Sequence, residues 1–171
     1  RDAQESRGLG DVYKRQISNI QITSSEILGV EDRGGYYESS GALKDMVQNH
    51  MLQMVALLAM EAPISLKSED IRAEKVKVLK SLRQLKPEEV NQNFVRGQYG
   101  EGTINDQRVI AYRDEDRVAS DSNTPTFVSG RLTIDNFRWA GVPFYIRTGK
   151  RMKSKCIQVC LLYTSPSPRD S

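Results

Sequence analysis

The chain is poor in the residues that build covalent or metal-held folds. Its 171 residues include two cysteines and one histidine. Cys160 falls in a terminal stretch set aside below, which leaves Cys156 without a partner. No internal disulfide is therefore expected, and nothing points to an oxidising compartment. No group of side chains has metal-ligand spacing, so no metal is expected. Long apolar runs are absent as well, none approaching the ~20 residues that cross a bilayer. No leader pattern is visible, and the expected location is the cytoplasm. Charge of one sign is also lacking: 25 Lys+Arg against 22 Asp+Glu give +3, too even to argue for a nucleic-acid partner. Gly97, Gly100 and Gly102 match neither a dinucleotide fingerprint nor a P-loop, because no strong strand precedes them and no Lys-Ser/Thr pair follows.

The two ends of the chain are related to each other in an unusual way. One choice of codons for Ser6–Gln16 has a reverse complement that, read from its second base, encodes Cys-Leu-Leu-Tyr-Thr-Ser-Pro-Ser-Pro-Arg, which is Cys160–Arg169. One DNA sequence in opposite orientations, flanking an insert, is the pattern of a translated sequencing adapter. Residues 1–16 and 160–171 are accordingly expected to be non-native tails around an insert spanning 17–159. That insert suits one domain, and it is expected to be part of a larger one.

Within the insert, Ile17–Ser24 alternates apolar and polar residues and predicts a half-buried strand ending near Glu26. Asp32-Arg33-Gly34-Gly35 supplies turn chemistry. From Gly41 to Pro63 runs the strongest helical pattern, with Leu43, Met46, Val47, Met51, Met54, Val55 and Leu58 as its apolar stripe. A second helix is predicted from an N-cap at Ser68 to about Leu85, with Ile71, Val78, Leu79 and Leu82 inward. The stretch 91–124 predicts irregular chain with one short strand at Val109–Tyr112. Strand alternation returns at Val128–Asp135 and Val142–Thr148, and another strand begins at Cys156. Two adjacent strands with a short connection indicate an antiparallel sheet, so the fold class is α+β: an antiparallel sheet packed against two long helices.

The chemistry-bearing residues are few. Glu26 ends a strand, while Asp45 and His50 lie on the long helix. Lys150, Arg151, Lys153 and Lys155 crowd the exit of a strand. Periodicity alone favours a buried, hydrogen-bonded histidine over a catalytic base at His50, and an ordinary hairpin turn for the basic cluster. Taken together, carboxylates that accept from sugar hydroxyls, lysines that hold a phosphate and an imidazole that takes a hydroxyl proton fit a sugar phosphate.

Six stretches carry a family resemblance: Gly-Val-Glu-Asp-Arg-Gly-Gly-Tyr-Tyr-Glu (29–38), Gly-Ala-Leu-Lys-Asp-Met-Val-Gln-Asn-His (41–50), Ala-Met-Glu-Ala-Pro (59–63), Ile-Arg-Ala-Glu-Lys-Val-Lys-Val-Leu (71–79), Arg-Gly-Gln-Tyr (96–99) and Arg-Trp-Ala-Gly-Val-Pro-Phe-Tyr-Ile-Arg-Thr-Gly-Lys (138–150). In this order they resemble glucose-6-phosphate dehydrogenase. The resemblance implies an oxidoreductase that oxidises glucose 6-phosphate to the lactone with NADP as hydride acceptor. It implies His50 as the base that removes the C1 hydroxyl proton, Glu26 and Asp45 as sugar-binding carboxylates, and Lys150 and Lys155 as substrate-binding cations. It also implies a homodimer or higher homo-oligomer formed through the sheet. The family's dinucleotide-binding domain and its Arg-Ile-Asp-His-Tyr segment are missing from these residues. The chain by itself is therefore expected to lack dehydrogenase activity and not to bind NADP tightly at the coenzyme site. The alternative is a non-catalytic sugar-phosphate-binding or assembly domain in which His50 is only structural.

On an ideal α-helix Asp45 and His50 stand about 140° apart at roughly 3.6 residues per turn. Either a π-bulge swings them together, or the sugar wraps the helix and meets them from different sides. The second arrangement is the expected one.

Overall fold

The alternation of the first segment becomes strand β1 (Ile17–Ser25), which sends Ile20, Ile22 and Ser24 into the interior. The computed structural model describes residues 17–164. Tails 1–16 and 165–171 lie outside them. Helix α1 (Gly34–Ala42) follows, then a π-helical segment (Leu43–Met51), α2 (Leu52–Ala59), α3 (Ser68–Lys80) and α4 (Pro87–Asn93). The remaining strands are β2 (Phe94–Gly97), β3 (Gly102–Ile104), β4 (Gln107–Val109), β5 (Phe127–Leu132), β6 (Phe144–Gly149) and β7 (Cys156–Tyr163). Among the described residues they form a five-stranded sheet in the order β2-β5-β6-β1-β7 and a two-stranded ribbon of β3 and β4.

The α+β class holds, with two refinements. The sheet is antiparallel except between β1 and β6, which run parallel with Ile22 opposite Ile146. Parallel neighbours need a long crossover, and the helices between β1 and β5 provide it. Among the described residues one helical stretch is long, and the 13-residue α3 and shorter α4 accompany it. It starts earlier than periodicity indicates, at Gly34, and is broken at Gly41, whose φ of +57° is outside the helical range. The second helix stops at Lys80, because the chain beyond it turns to pair with the sheet: Arg83 donates its backbone N–H to Thr133, and Asp135 donates to Ser81. In 91–124 the expected strand at Val109–Tyr112 is replaced by the β3–β4 ribbon. Its turn residues, Asn105 and Asp106, both hold positive φ, a conformation these short polar residues tolerate.

Helices cover one face of the sheet. Val47, Met51 and Val55 from the helical stretch and Val78 from α3 bury against Ile20, Ile22, Val128, Phe144 and Ile146. Trp139 packs edge-on to Phe144 at 5.1 Å and donates its indole N–H to the Ala59 carbonyl at 2.8 Å, which ties the β5–β6 connection to the end of α2. Leu43 and Leu58, inward by the helical period, are more than a third exposed. The wider winding between them accounts for the shift.

Among the described residues β7 pairs only with β1, and its register runs unbroken from Ser25–Cys156 through Gln21–Cys160 to Asn19–Leu162. To reach β7 from β6, residues 150–155 must cross the carboxyl end of β1, which lies between the two. The basic cluster is therefore a crossover above a strand end and not a hairpin turn.

Candidate functional site

That crossover builds the site. Glu26, one step past β1, donates its backbone N–H to Gly149 and accepts from Met152 through its carbonyl, at 2.9 Å each. Its side chain is thereby held at the end of the sheet, beneath the crossing chain. Lys150 donates from Nζ to Glu26 Oε2 at 2.9 Å and lies 5.5 Å from the centre of the Tyr37 ring. The lysine is mostly buried and the glutamate more than a third exposed, so the charge pair is sheltered from behind and open in front.

Asp45 enters from the helical stretch. Between Leu43 and Met51 the winding is π-helical, closing with the Leu52 N–H on the Val47 carbonyl, five residues back. In this winding residues five apart come round to nearly the same side. The winding narrows the angle between Asp45 and His50, so the ordinary α-helix behind the expected wrapping gives way to the π-helical alternative. His50 is exposed, which overturns the buried, hydrogen-bonded histidine that periodicity alone favours.

Glu26, Asp45 and Lys150 converge from three separate elements on one pocket of about 230 Å³, whose other walls are Leu28–Arg33, Tyr36 and Tyr37. His50 lies on the same helical segment as Asp45 but is not a wall. Lys155 is not a wall either: it is exposed and makes no ion pair among the described residues. The register that pairs Ser25 with Cys156 does bring Lys155 level with Glu26.

Tyr37 is the wall residue that sequence reasoning misses. It is 3% exposed, and its hydroxyl, among the described residues, has no hydrogen-bond partner. Burial first, then the charges of Asp45, Tyr99 and Glu26, push that hydroxyl above the ordinary phenol range, so it stays a neutral donor beside two carboxylates. No local period could have revealed it, since the break at Gly41 separates Tyr37 from Asp45.

A second missed feature pins α1 from the opposite side. Glu38 accepts from the hydroxyls of Tyr112 at 2.5 Å and Ser122 at 2.6 Å. Burial alone would raise this carboxyl; the donors Ser122 and Tyr112, with the Ala119 backbone, overcome it and hold Glu38 below the usual carboxylate range. These contacts anchor the helix that carries Tyr37 to the loop between β4 and β5.

Among the described residues no group of three or more potential ligands could hold a metal ion, and no helix is long and apolar enough to cross a membrane. The glycines at 97 and 102 belong to strands, and Gly100 lies between them with open space around it. No helix N-terminus follows them, so they do not form a cradle for a dinucleotide.

The family described as "Glucose-6-phosphate dehydrogenase, C-terminal domain" matches residues 11–169. Glucose-6-phosphate 1-dehydrogenase of Bacillus subtilis (strain 168) is 68% identical over 149 residues, covering 87% of this chain and 30% of the relative. That of Dickeya dadantii (strain 3937) is 46% identical over 153 residues, covering 90% and 31%. The chain thus spans about a third of the length of these relatives. Two solved structures are similar. Glucose-6-phosphate 1-dehydrogenase from Mycobacterium avium has a TM-score of 0.76 at 40% identity, covering 89% of this chain and 30% of that one. A glucose-6-phosphate dehydrogenase in complex with its substrate glucose-6-phosphate has a TM-score of 0.78 at 34% identity, covering 91% and 32%.

Proposed function

This chain belongs to the glucose-6-phosphate dehydrogenase C-terminal domain family, and from that premise we propose that it is the substrate-binding part of a longer oxidoreductase that converts glucose 6-phosphate to its lactone. The convergence of Glu26, Asp45 and Lys150 on one pocket carries the reading. Two carboxylates accept from sugar hydroxyls, and a lysine offers a compact charge to the phosphate. Lys155, level with Glu26, supplies a second cation at the exposed edge. A neutral imidazole at His50 accepts the C1 hydroxyl proton as the carbon is oxidised.

NADP is the proposed acceptor. In this proposal the acceptor is held by residues of the longer protein, and the chain alone reduces no NADP. Location in the cytoplasm and homo-oligomerisation through the uncovered face of the sheet, where Tyr145 is exposed, complete the proposal. Tails 1–16 and 160–171 remain proposed adapter sequence. The continuation of β7 to Tyr163 is compatible with this, because strand pairing uses the backbone and Leu161, Leu162 and Tyr163 are exposed.

One observation favours the non-catalytic alternative: His50 is not a wall of the pocket. Replacing His50 by Asn in the longer protein separates the two readings. A catalytic base predicts a loss of kcat of about 10²–10⁴ with KM for glucose 6-phosphate little changed. An unchanged kcat would leave the histidine a structural residue.

A further inference from the structure

Beside the pocket, sharing its Glu31 wall, lies a charge network whose cation, Arg151, is not itself a wall. Arg151 follows Lys150 in the crossover, and its Nη2 reaches Glu31 Oε1 at 3.3 Å and Glu115 Oε1 at 3.4 Å. The guanidinium also sits 5.9 Å from the centre of the Tyr99 ring. Tyr99 donates its hydroxyl to Glu115 at 2.8 Å and receives the Val30 N–H at 3.2 Å. Glu31 in turn accepts the Gly29 N–H at 3.1 Å, and the Arg151 backbone donates to the Leu28 carbonyl at 3.2 Å. Three of these links tie the Leu28–Glu31 wall to other segments: Arg151 to Glu31, the Arg151 backbone to Leu28, and Val30 to Tyr99.

Three features show that this arrangement is imposed by the surroundings. Arg151 and Glu31 both hold positive φ, +53° and +50°, a conformation that costs a side-chain-bearing residue energy and persists where the surroundings enforce it. Glu115 is 8% exposed and Arg151 16%, so breaking the pair would strand a buried charge. Gly29 lies directly over the network: a Cβ there would come within 2.6 Å of Arg151 Nε and 2.9 Å of Glu115 Oε1. Leu28, Gly29, Val30 and Glu31 all face the cavity, as does Lys150, whereas Arg151 does not.

We propose that Arg151 is a positioning residue: by bridging Glu31 and Glu115 it clamps the Leu28–Glu31 wall to the crossover carrying Lys150, and so sets the affinity for substrate without touching it. The inference rests on the reading of the pocket as the glucose 6-phosphate site. A loose wall misplaces the groups that hold the ligand, and displacements of about 1 Å from residues outside the chemistry can cost up to about 10²-fold.

The test is steady-state kinetics with glucose 6-phosphate in the longer dehydrogenase, comparing Arg151→Lys, Glu31→Gln, the double variant and Lys150→Ala. Lysine keeps the charge but loses the planar guanidinium that lies against the Tyr99 ring, and Glu31→Gln removes the half-exposed arm while leaving no buried charge unpaired. The expected result is a KM raised about tenfold in Arg151→Lys and about threefold in Glu31→Gln, with kcat within about threefold of the parent. The double variant should resemble Arg151→Lys alone, because both changes cut one bridge. An unchanged KM, a kcat that falls as far as KM rises, or fully additive effects would overturn the proposal. If Lys150→Ala raises KM and the other variants do not, the clamp fails and the site stands. If Lys150→Ala also leaves KM unchanged, the reading of the site itself fails.

Discussion

Single side chains decide how the pocket is tuned, and two of them give direct tests. The Tyr37 hydroxyl is buried with no partner among the described residues, a condition that costs about 1–3 kcal/mol. Tyr37→Phe removes the unpaired group and keeps the ring under Lys150, so thermal melting is expected to show an unchanged or higher Tm. A clear drop would mean that the hydroxyl is satisfied in the folded protein. Glu38 gives a pH test. Its carboxyl is held below the usual carboxylate range by Ser122 and Tyr112 against the cost of burial. Because the folded value is the lower one, its stabilisation is complete above the unfolded value of about 4.3 and is lost as pH falls through the folded one. Urea midpoints for the parent and Glu38→Gln should therefore differ most near neutral pH and converge in acid. A gap that stays constant down to pH 3 would contradict this.

At the level of elements, the site depends on breaks in regular structure, and these are the parts least legible in the sequence. Strands β1, β5 and β6 were readable because alternation reports a one-sided sheet directly; Ile20, Ile22, Phe144 and Ile146 are buried as the pattern requires. Residues Glu26, Asp45 and Lys150 were legible as candidates, but their meeting was not. It depends on β1 lying between β6 and β7, a pairing of distant segments that no local period encodes. The π winding was equally hidden, since Leu43 to Leu58 also satisfies an α-helical stripe and only tertiary packing chooses between them. Gly41 marks the break that starts it. Its φ is +57°, and a Cβ would lie 3.0 Å from Thr124 Cγ2. Gly41→Ala is expected to cost about 1–3 kcal/mol in urea unfolding. Gly35→Ala serves as control: it sits inside α1 with its nearest neighbour at an ordinary 3.5 Å, and should be neutral or stabilising by up to about 1 kcal/mol. Equal effects at the two positions would show that the break does not govern the helix.

Across the whole molecule, a helix-covered sheet delivers its chemistry to one end. The carboxyl end of β1, the crossover after β6 and the start of the π segment meet there, while no described helix covers the opposite sheet face. This geometry places Glu26, Asp45 and Lys150 on one pocket and leaves His50 on the neighbouring turn of the same helix. The decisive geometry is where a ligand sits relative to these four side chains. The direct measurement is a crystal structure of the longer protein with glucose 6-phosphate. The prediction is a hexose between Glu26, Asp45 and Lys150 with its C1 hydroxyl within hydrogen-bond reach of His50, about 2.6–3.2 Å. A ligand bound outside this pocket, or bound with C1 turned away from His50, would contradict it.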